Sequence, residues 1–434
     1  MKKLILYCLC AALPACFCAG SASAETFTSK SYIKAALGAS PSMRKAEQAF
    51  RQAESNYKAA LLDAALPAFT LSMGETFYDQ SDTRLRLERE DVTSSLSASW
   101  NLYDSASSPL KKVRTARLDY EAAKLSFLTA QQNEALKALG RFYALYSAQQ
   151  RIGTSRMNLA SRERQYKDTN EQFQSGTRSR LQVTQSEGDK LASEISLARD
   201  EAGEVKARMA FNELLNAEPE TEQSVEVSTQ AADIKLPLPR TDVARALENN
   251  FALRQQRLAL ERTRITSRTS VLSNYPRLRV DAAWRKSALG LIGEPAYGGP
   301  NNPSYSLGAS LNFPFGFFGL QNYLEIDAAG AALKSAELEL ENSERALKTR
   351  VLSAQKDIEL QVKSRRLLEF QVKAQRETTE NLMSEYSQGG ADSVQLDLAQ
   401  SKLLDSSNNQ IAALNDLDLE LANYRILMGE KIWE

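Results

Sequence analysis

Histidine is absent from the 434-residue chain, and its only four cysteines, Cys8, Cys10, Cys16 and Cys18, fall within the first 24 residues. No imidazole is available as metal ligand or general base, and beyond residue 24 neither disulfides nor thiol chemistry are possible. Glycine (19) and proline (12) are sparse for this length, which disfavours collagen-like and Pro-rich disordered classes and leaves room for long uninterrupted elements. Neither sign of charge dominates: 54 Lys and Arg face 54 Asp and Glu, so the basic surplus that draws a protein to nucleic acid is missing. There is no phosphate-cradling glycine loop, no paired Cys/His spacing and no Gly-x-Ser-x-Gly elbow. Neither an enzyme nor a cofactor or metal is expected.

What is present begins with an export signal. Lys2 and Lys3 precede an apolar run from Leu4 to about Ala19, and Ala22-Ser23-Ala24 supplies the small residues of a cleavage site. Residues 1–24 therefore read as a signal peptide; as a membrane anchor the run is short and broken by Pro14. Leu13-Pro14-Ala15-Cys16 loosely resembles a lipoprotein box, which leaves a lipid on Cys16 as an alternative. Without the segment, 52 basic residues face 54 acidic ones, an exported chain of charge −2.

The remainder is internally duplicated at an offset of about 209 to 215 residues. Leu96-Ser97-Ala98-Ser99-Trp100-Asn101-Leu102 matches Leu307-Gly308-Ala309-Ser310-Leu311-Asn312-Phe313, and Leu66-Pro67-Ala68 matches Tyr275-Pro276-Arg277. Residues 25–216 form a first repeat and 241–430 a second, joined by a polar linker at 217–240 and followed by a tail at 431–434. Each repeat carries two stretches of about ten residues that alternate apolar and polar side chains: Phe69–Phe77, Val92–Leu102, Arg277–Arg285 and Tyr305–Phe313. That is the length and pattern of a tilted transmembrane β-strand; a soluble sheet with one face on a core alternates in the same way. Tyr78, Trp100, Tyr103, Tyr275, Trp284 and Tyr305 fall near strand ends, as a membrane aromatic belt requires. Asp79–Asp91 and Lys286–Ser304 are expected to be hairpin loops.

Helix is expected elsewhere. Past Pro109 at the start of the first, residues 109–174 and 321–387 contain no proline and repeat apolar residues at three and four, predicting two helices of roughly 100 Å. Segments 28–65, 180–217, 242–273 and 392–429 are about half as long, so two can pack end to end along each long helix. Four strands cannot close a barrel, and open edges in lipid strand backbone groups at several kcal/mol each. Several copies must share one barrel: two supply eight strands and a filled interior, three supply twelve and an aqueous lumen.

On these residues, together with the strand exit Asn312-Phe313-Pro314-Phe315 and the turns Phe173–Ser179 and Gln388–Ser393, the chain resembles the TolC-like outer-membrane factor family over essentially its whole exported length. The resemblance implies an α+β membrane protein: a homotrimer with a twelve-stranded transmembrane β-barrel, four strands per chain, continued by a long periplasmic α-helical barrel. It implies a passive outer-membrane duct in outer-membrane lipid, docked to a periplasmic adaptor protein and an inner-membrane pump or ABC exporter to expel small molecules. Protein secretion through the same fold, or a non-channel structural coiled coil, are the alternatives.

Function is then expected where the helix turns meet. Ser175, Gly176, Thr177 and Ser179 in the first turn and Gln388, Gly389 and Gly390 in the second are the adaptor-contacting candidates, glycine serving the tight turns through positive φ. Simple loop punctuation is the plainer reading of the same glycines. The acidic positions of the family's narrowest ring fall on Gln395 and Leu398 and are not carried over. Asp392 and Asp397 lie close by as substitutes, or are solvated helix charges. Arg178 and Arg180 are candidates for pairs between copies that hold the entrance shut, or are surface charges.

Overall fold

The computed structural model describes residues 26–82, 85–103, 109–227, 239–272, 275–291, 303–313, 320–388 and 390–433. The expected signal segment with its four cysteines, and Gly389, lie outside the described residues. In chain order the elements are β1 (Thr26–Phe27), α1 (Ser29–Ala39), α2 (Pro41–Ala65), β2 (Ala68–Asp82), β3 (Leu85–Tyr103), α3 (Pro109–Gln174) and α4 (Arg180–Leu215). The second half supplies β4 (Ser224–Val225), α5 (Pro239–Asn249), α6 (Phe251–Leu272), β5 (Arg277–Leu291), β6 (Ser304–Asn312), α7 (Leu320–Ser387) and α8 (Ser393–Leu427).

The four long strands form one antiparallel sheet in the order β2-β3-β5-β6. Its register collects the four apolar faces on one side. Leu71 pairs with Leu96, Leu96 with Trp284 and Trp284 with Tyr305; one row along, Phe69, Ala98, Ala282 and Leu307 line up in the same way. Among the described residues this side meets no core: Phe69, Leu71, Leu307 and Tyr305 are all exposed, Leu307 at 81%. The opposite side carries Thr70, Ser72, Ser95, Ser97 and an Arg279–Asp281 ion pair of 2.6 Å. A sheet with one greasy and one polar side, neither covered, is a wall between two media rather than half of a globular core.

Two sequence expectations need correction here. Most of the segment Asp79–Asp91 is strand rather than loop: β2 runs to Asp82 and β3 starts at Leu85, with Phe77↔Glu90 and Tyr78↔Arg89 paired, and residues 83–84 lie outside the described residues. Likewise β5 continues to Leu291, beyond the expected loop start at Lys286. Alternation marks only the section of a strand that separates two media; once the hairpins leave that band, both faces can be polar while the ladder continues. Trp284 therefore sits in the middle of β5, not near its end, although Tyr305 beside it does open β6. Trp100 pairs with Val280 near the other end of the sheet, and Tyr275 lies two residues before β5. Tyr78 lies four residues before the end of β2, and Tyr103 closes β3.

The helices stand in four columns. α2 and α4 both pack on α3, α2 against its first half and α4 against its second; α6 and α8 both pack between α3 and α7 in the same stacked fashion. Reading across, the helices next to the sheet follow the order α2-α3-α6-α7, the order of the strands they join. Both long helices match expectation closely. Two of the shorter ones do not: 28–65 breaks at Ser40, where Pro41 takes the first position of α2, and 242–273 breaks at Asn250. Asn250 caps α6 and ties the break to α8, its Oδ1 accepting from Leu253 N at 3.0 Å and its Nδ2 donating to Leu427 O at 3.1 Å.

The main core lies at the waist, where the stacked helices meet end to end. Tyr32 stacks on Phe211 at 3.8 Å between ring centroids and donates its hydroxyl to the Phe211 carbonyl at 2.9 Å. Phe142, Leu145 and Leu214 fill in around them. The linker expected to be merely polar contributes to this core: β4 pairs in parallel with β1, and Val225 and Val227 pack against the cluster. The second repeat has its own cluster around Val351, Ile358 and Leu417, sealed by Tyr424, Gln355 and Asp242 in mutual hydrogen bonds. Gly429, at φ +75°, passes so close to Asn249 that a Cβ there would lie 2.2 Å from its carbonyl oxygen.

Candidate functional site

The far tips of the two helical hairpins, α3–α4 and α7–α8, carry the expected site residues. In the first turn Gly176 occupies the left-handed region at φ +80°, and the amides of Gly176 and Thr177 bond back to Phe173 O and Gln172 O at 2.9 Å each. Ser179 then caps α4 in a reciprocal box with Gln182, Ser179 N donating to Gln182 Oε1 at 3.0 Å. The second turn is built differently. Gly390 is not at positive φ, and an added Cβ would meet only Glu385 O at an ordinary 3.6 Å, so the conformational demand expected of Gly389 or Gly390 does not fall on Gly390. Asp392 stands at the cap position of α8 without a side-chain cap bond.

Arg178 and Tyr386 tie the two turns together. The Arg178 guanidinium lies 4.9 Å from the centre of the Tyr386 ring, donates to Ala391 O at 3.3 Å, and is steadied by Gln172 Oε1 at 3.0 Å. Tyr386 is buried beneath it and shares a 2.7 Å hydrogen bond with Thr169 of α3. Arg178 is thus engaged within its own chain, whereas Arg180 and Gln395 are exposed.

Above the turns, α3, α4 and α8 meet at a second link. Asp397 accepts hydrogen bonds from Arg162 and, at 2.8 Å, from Gln165 Nε2; Arg162 also lies 3.9 Å from Asp189 of α4. The Arg162 side chain is only 10% exposed, so this cation is held among partners rather than solvated. Burial, with the Asp397 charge adding to it, pushes the Asp189 carboxyl above the usual carboxylate range, opposed by Arg162. Because the folded value is the higher one, acidification through it favours the folded tip.

The structure separates the two acids singled out in the sequence. Asp397 points at α3; Asp392 is exposed and continues along one face of α8 with Gln395 and Leu398, both exposed. Arg162, Gln165, Thr169, Asp189 and Tyr386 were not anticipated from the sequence. Tyr386 alone carries a signal, an aromatic residue set against the turn at the place where the first repeat has Phe173.

A protein-family model described as outer membrane efflux protein matches residues 32–217 and 243–430, one match in each repeat. Among solved structures, the outer membrane protein VceC of Vibrio cholerae is 15% identical with a TM-score of 0.75, covering 94% of this chain and 97% of that one. The CmeC outer membrane channel of Campylobacter jejuni is 13% identical with a TM-score of 0.77, covering 94% and 87%. The MtrE outer membrane channel of Neisseria gonorrhoeae, in an open state, is 14% identical with a TM-score of 0.74, covering 93% and 89%. No curated protein matches the chain. With the family model covering most of both repeats, and the same fold in these channels, the chain belongs to the outer membrane efflux protein family.

Proposed function

We propose that three copies of this chain assemble into a passive duct, twelve strands crossing the outer membrane and the helical columns enclosing a periplasmic channel. The observation that carries this reading is the sheet: four strands with β2 and β6 as open edges, uncovered on both faces, running directly into helices of about 100 Å. Neighbouring copies satisfy both edges. Three copies rather than two leave the water that Arg279, Asp281 and Arg285 require on the polar side.

The family is one of outer-membrane channels with a large periplasmic helical part, not of enzymes, and this protein is such a channel. Its finer role is the export of small molecules, with the turns at 175–179 and 388–392 meeting an adaptor that links it to an inner-membrane pump or ABC exporter. In this reading Arg178 and Tyr386 hold the two turns in one rigid docking surface, and Asp392 projects toward the narrowest part of the passage.

Purified protein in planar bilayers decides the duct: discrete single-channel steps are expected, and a silent protein that extracts as a soluble rod would overturn it. Mass measurement of the solubilised assembly should give three copies. Dye accumulation in cells lacking the protein supports small-molecule export; unchanged accumulation with loss of a secreted protein would favour the secretion alternative.

A further inference from the structure

Just beneath the sheet, the first turns of α3 and the last turns of α6 border a cleft of about 610 Å³. Lys111, Arg114 and Arg117 line it from α3 and Arg268 from α6, while Leu118, Ile265 and Leu272 form its apolar part. Its two carboxylates are already engaged: Glu121 holds Arg117 at 3.0 Å and Glu261 holds Arg264 at 3.1 Å. Arg114 and Arg268 are exposed and, among the described residues, make no ion pair.

This charge is local. The last two turns of α2 (59–65) and the first two of α7 (320–326) contain no Lys or Arg, only Asp63 and Glu325. The cleft also stays within one copy, because copies join through β2 and β6 and hence along α2 and α7. Its level is fixed by the chain: α6 ends at Leu272, β5 begins at Arg277, and Lys111 is two residues into α3. Val271, Leu272 and Tyr275 at its upper rim are exposed, an apolar and aromatic edge of the kind that meets a membrane interface.

We infer that the cleft binds the phosphate headgroup of an anionic phospholipid in the leaflet facing the periplasm. Arg114 and Arg268 grip the phosphate from the two helices, and Leu118, Ile265 and Leu272 lie against the glycerol and upper acyl chain. The apolar lining is what favours a lipid over a free phosphate, which would leave those side chains facing water. The inference rests on the sheet being the membrane-crossing part.

The test is native mass spectrometry of the detergent-solubilised assembly titrated with phosphatidylglycerol, with phosphatidylcholine and, separately, with glycerol 3-phosphate. Phosphatidylglycerol should be retained preferentially, about fivefold more weakly in Arg114→Gln or Arg268→Gln and about 25-fold more weakly in the double variant. Arg→Lys at both sites should restore most of the retention, and Lys348→Gln on α7 should change nothing. Equal retention of the two lipids by the unaltered protein, or undiminished retention in the double variant, overturns the inference. So does full competition by glycerol 3-phosphate, which indicates a free-phosphate site, or a double variant whose only change is in ion selectivity, which places the cleft on the water-filled side. Channel steps recorded from the same preparations separate this from the duct itself: a conducting protein without lipid preference sinks only the lipid site.

Discussion

Arg162 and Asp397 stand 235 residues apart in the chain and meet in a direct charged hydrogen bond that joins α3 to α8. Asp189 approaches the same guanidinium from α4. Arg162→Ala would leave two carboxylates facing each other across the gap, and the expected cost to the tip is about 1–3 kcal/mol. Amide hydrogen exchange across residues 393–400 should speed up by about tenfold or more. Unaltered exchange there would mean that the link is not what holds the tip.

Replacing the two acids of this region should give two different phenotypes. Asp392 is exposed on α8, so Asp392→Ala is expected to reduce the channel's preference for cations while leaving tip protection intact. Asp397→Ala should instead loosen the tip as Arg162→Ala does, because its carboxylate is the acceptor for Arg162 and Gln165. Bilayer selectivity and hydrogen exchange measured on both variants distinguish the roles; matching effects in the two would refute the separation.

The two turns should respond unequally to a methyl group. Gly176→Ala forces a Cβ onto a residue at φ +80° and should destabilise the first turn by about 1–2 kcal/mol. Gly390→Ala places its Cβ in ordinary contact and should be close to neutral. Limited proteolysis at the two turns reads the difference: faster cleavage near 176 in the first variant, an unchanged pattern in the second.

Alkali should attack the waist before the tips. Burial, followed by the hydrogen bond to Asp242, pushes the Tyr424 hydroxyl up to about 12. Burial likewise raises Tyr32, and burial with the Asp418 bond raises Tyr143. An unfolded tyrosine ionises near pH 10, roughly its ordinary value, so between about 10 and 12 the unfolded state sheds protons that the folded state keeps. Stability contributed by these groups is complete below about pH 10 and declines as pH rises through that window. Thermal scans should show the melting temperature falling there, and Tyr424→Phe should lessen the fall while costing about 1 kcal/mol at neutral pH. An equal alkaline fall in that variant would count against the assignment.

Much of the scaffold could be read in the residues, for reasons that are local. Runs with no internal proline and apolar spacing of three and four delimit α3, which opens on Pro109, and α7 almost to the residue. Pro41 marks its own helix break, and Asn250 leaves a fainter local trace as the cap whose Oδ1 accepts from Leu253 N, while its second bond, to Leu427 on a helix distant in sequence, leaves none. Strand ends were underestimated because Glu88, Arg89 and Glu90 look like a loop unless one knows that the hairpin has left the apolar band. At the tip, Gly176 was legible since one glycine and one turn suffice. The pairs Arg162–Asp397 and Thr169–Tyr386 were not: each depends on the rotation of two helices more than 200 residues apart, which spacing within either helix does not set.

The identical sequence of strands and helical columns, β2-β3-β5-β6 above α2-α3-α6-α7, has a counting consequence. In the proposed assembly every copy adds four staves to the membrane hoop and four to the hoop below it, so a single integer must satisfy two closures of quite different chemistry, one sealed by backbone ladders and one by side-chain seams. A mutation that altered the preferred curvature of either hoop would be felt as strain in the other.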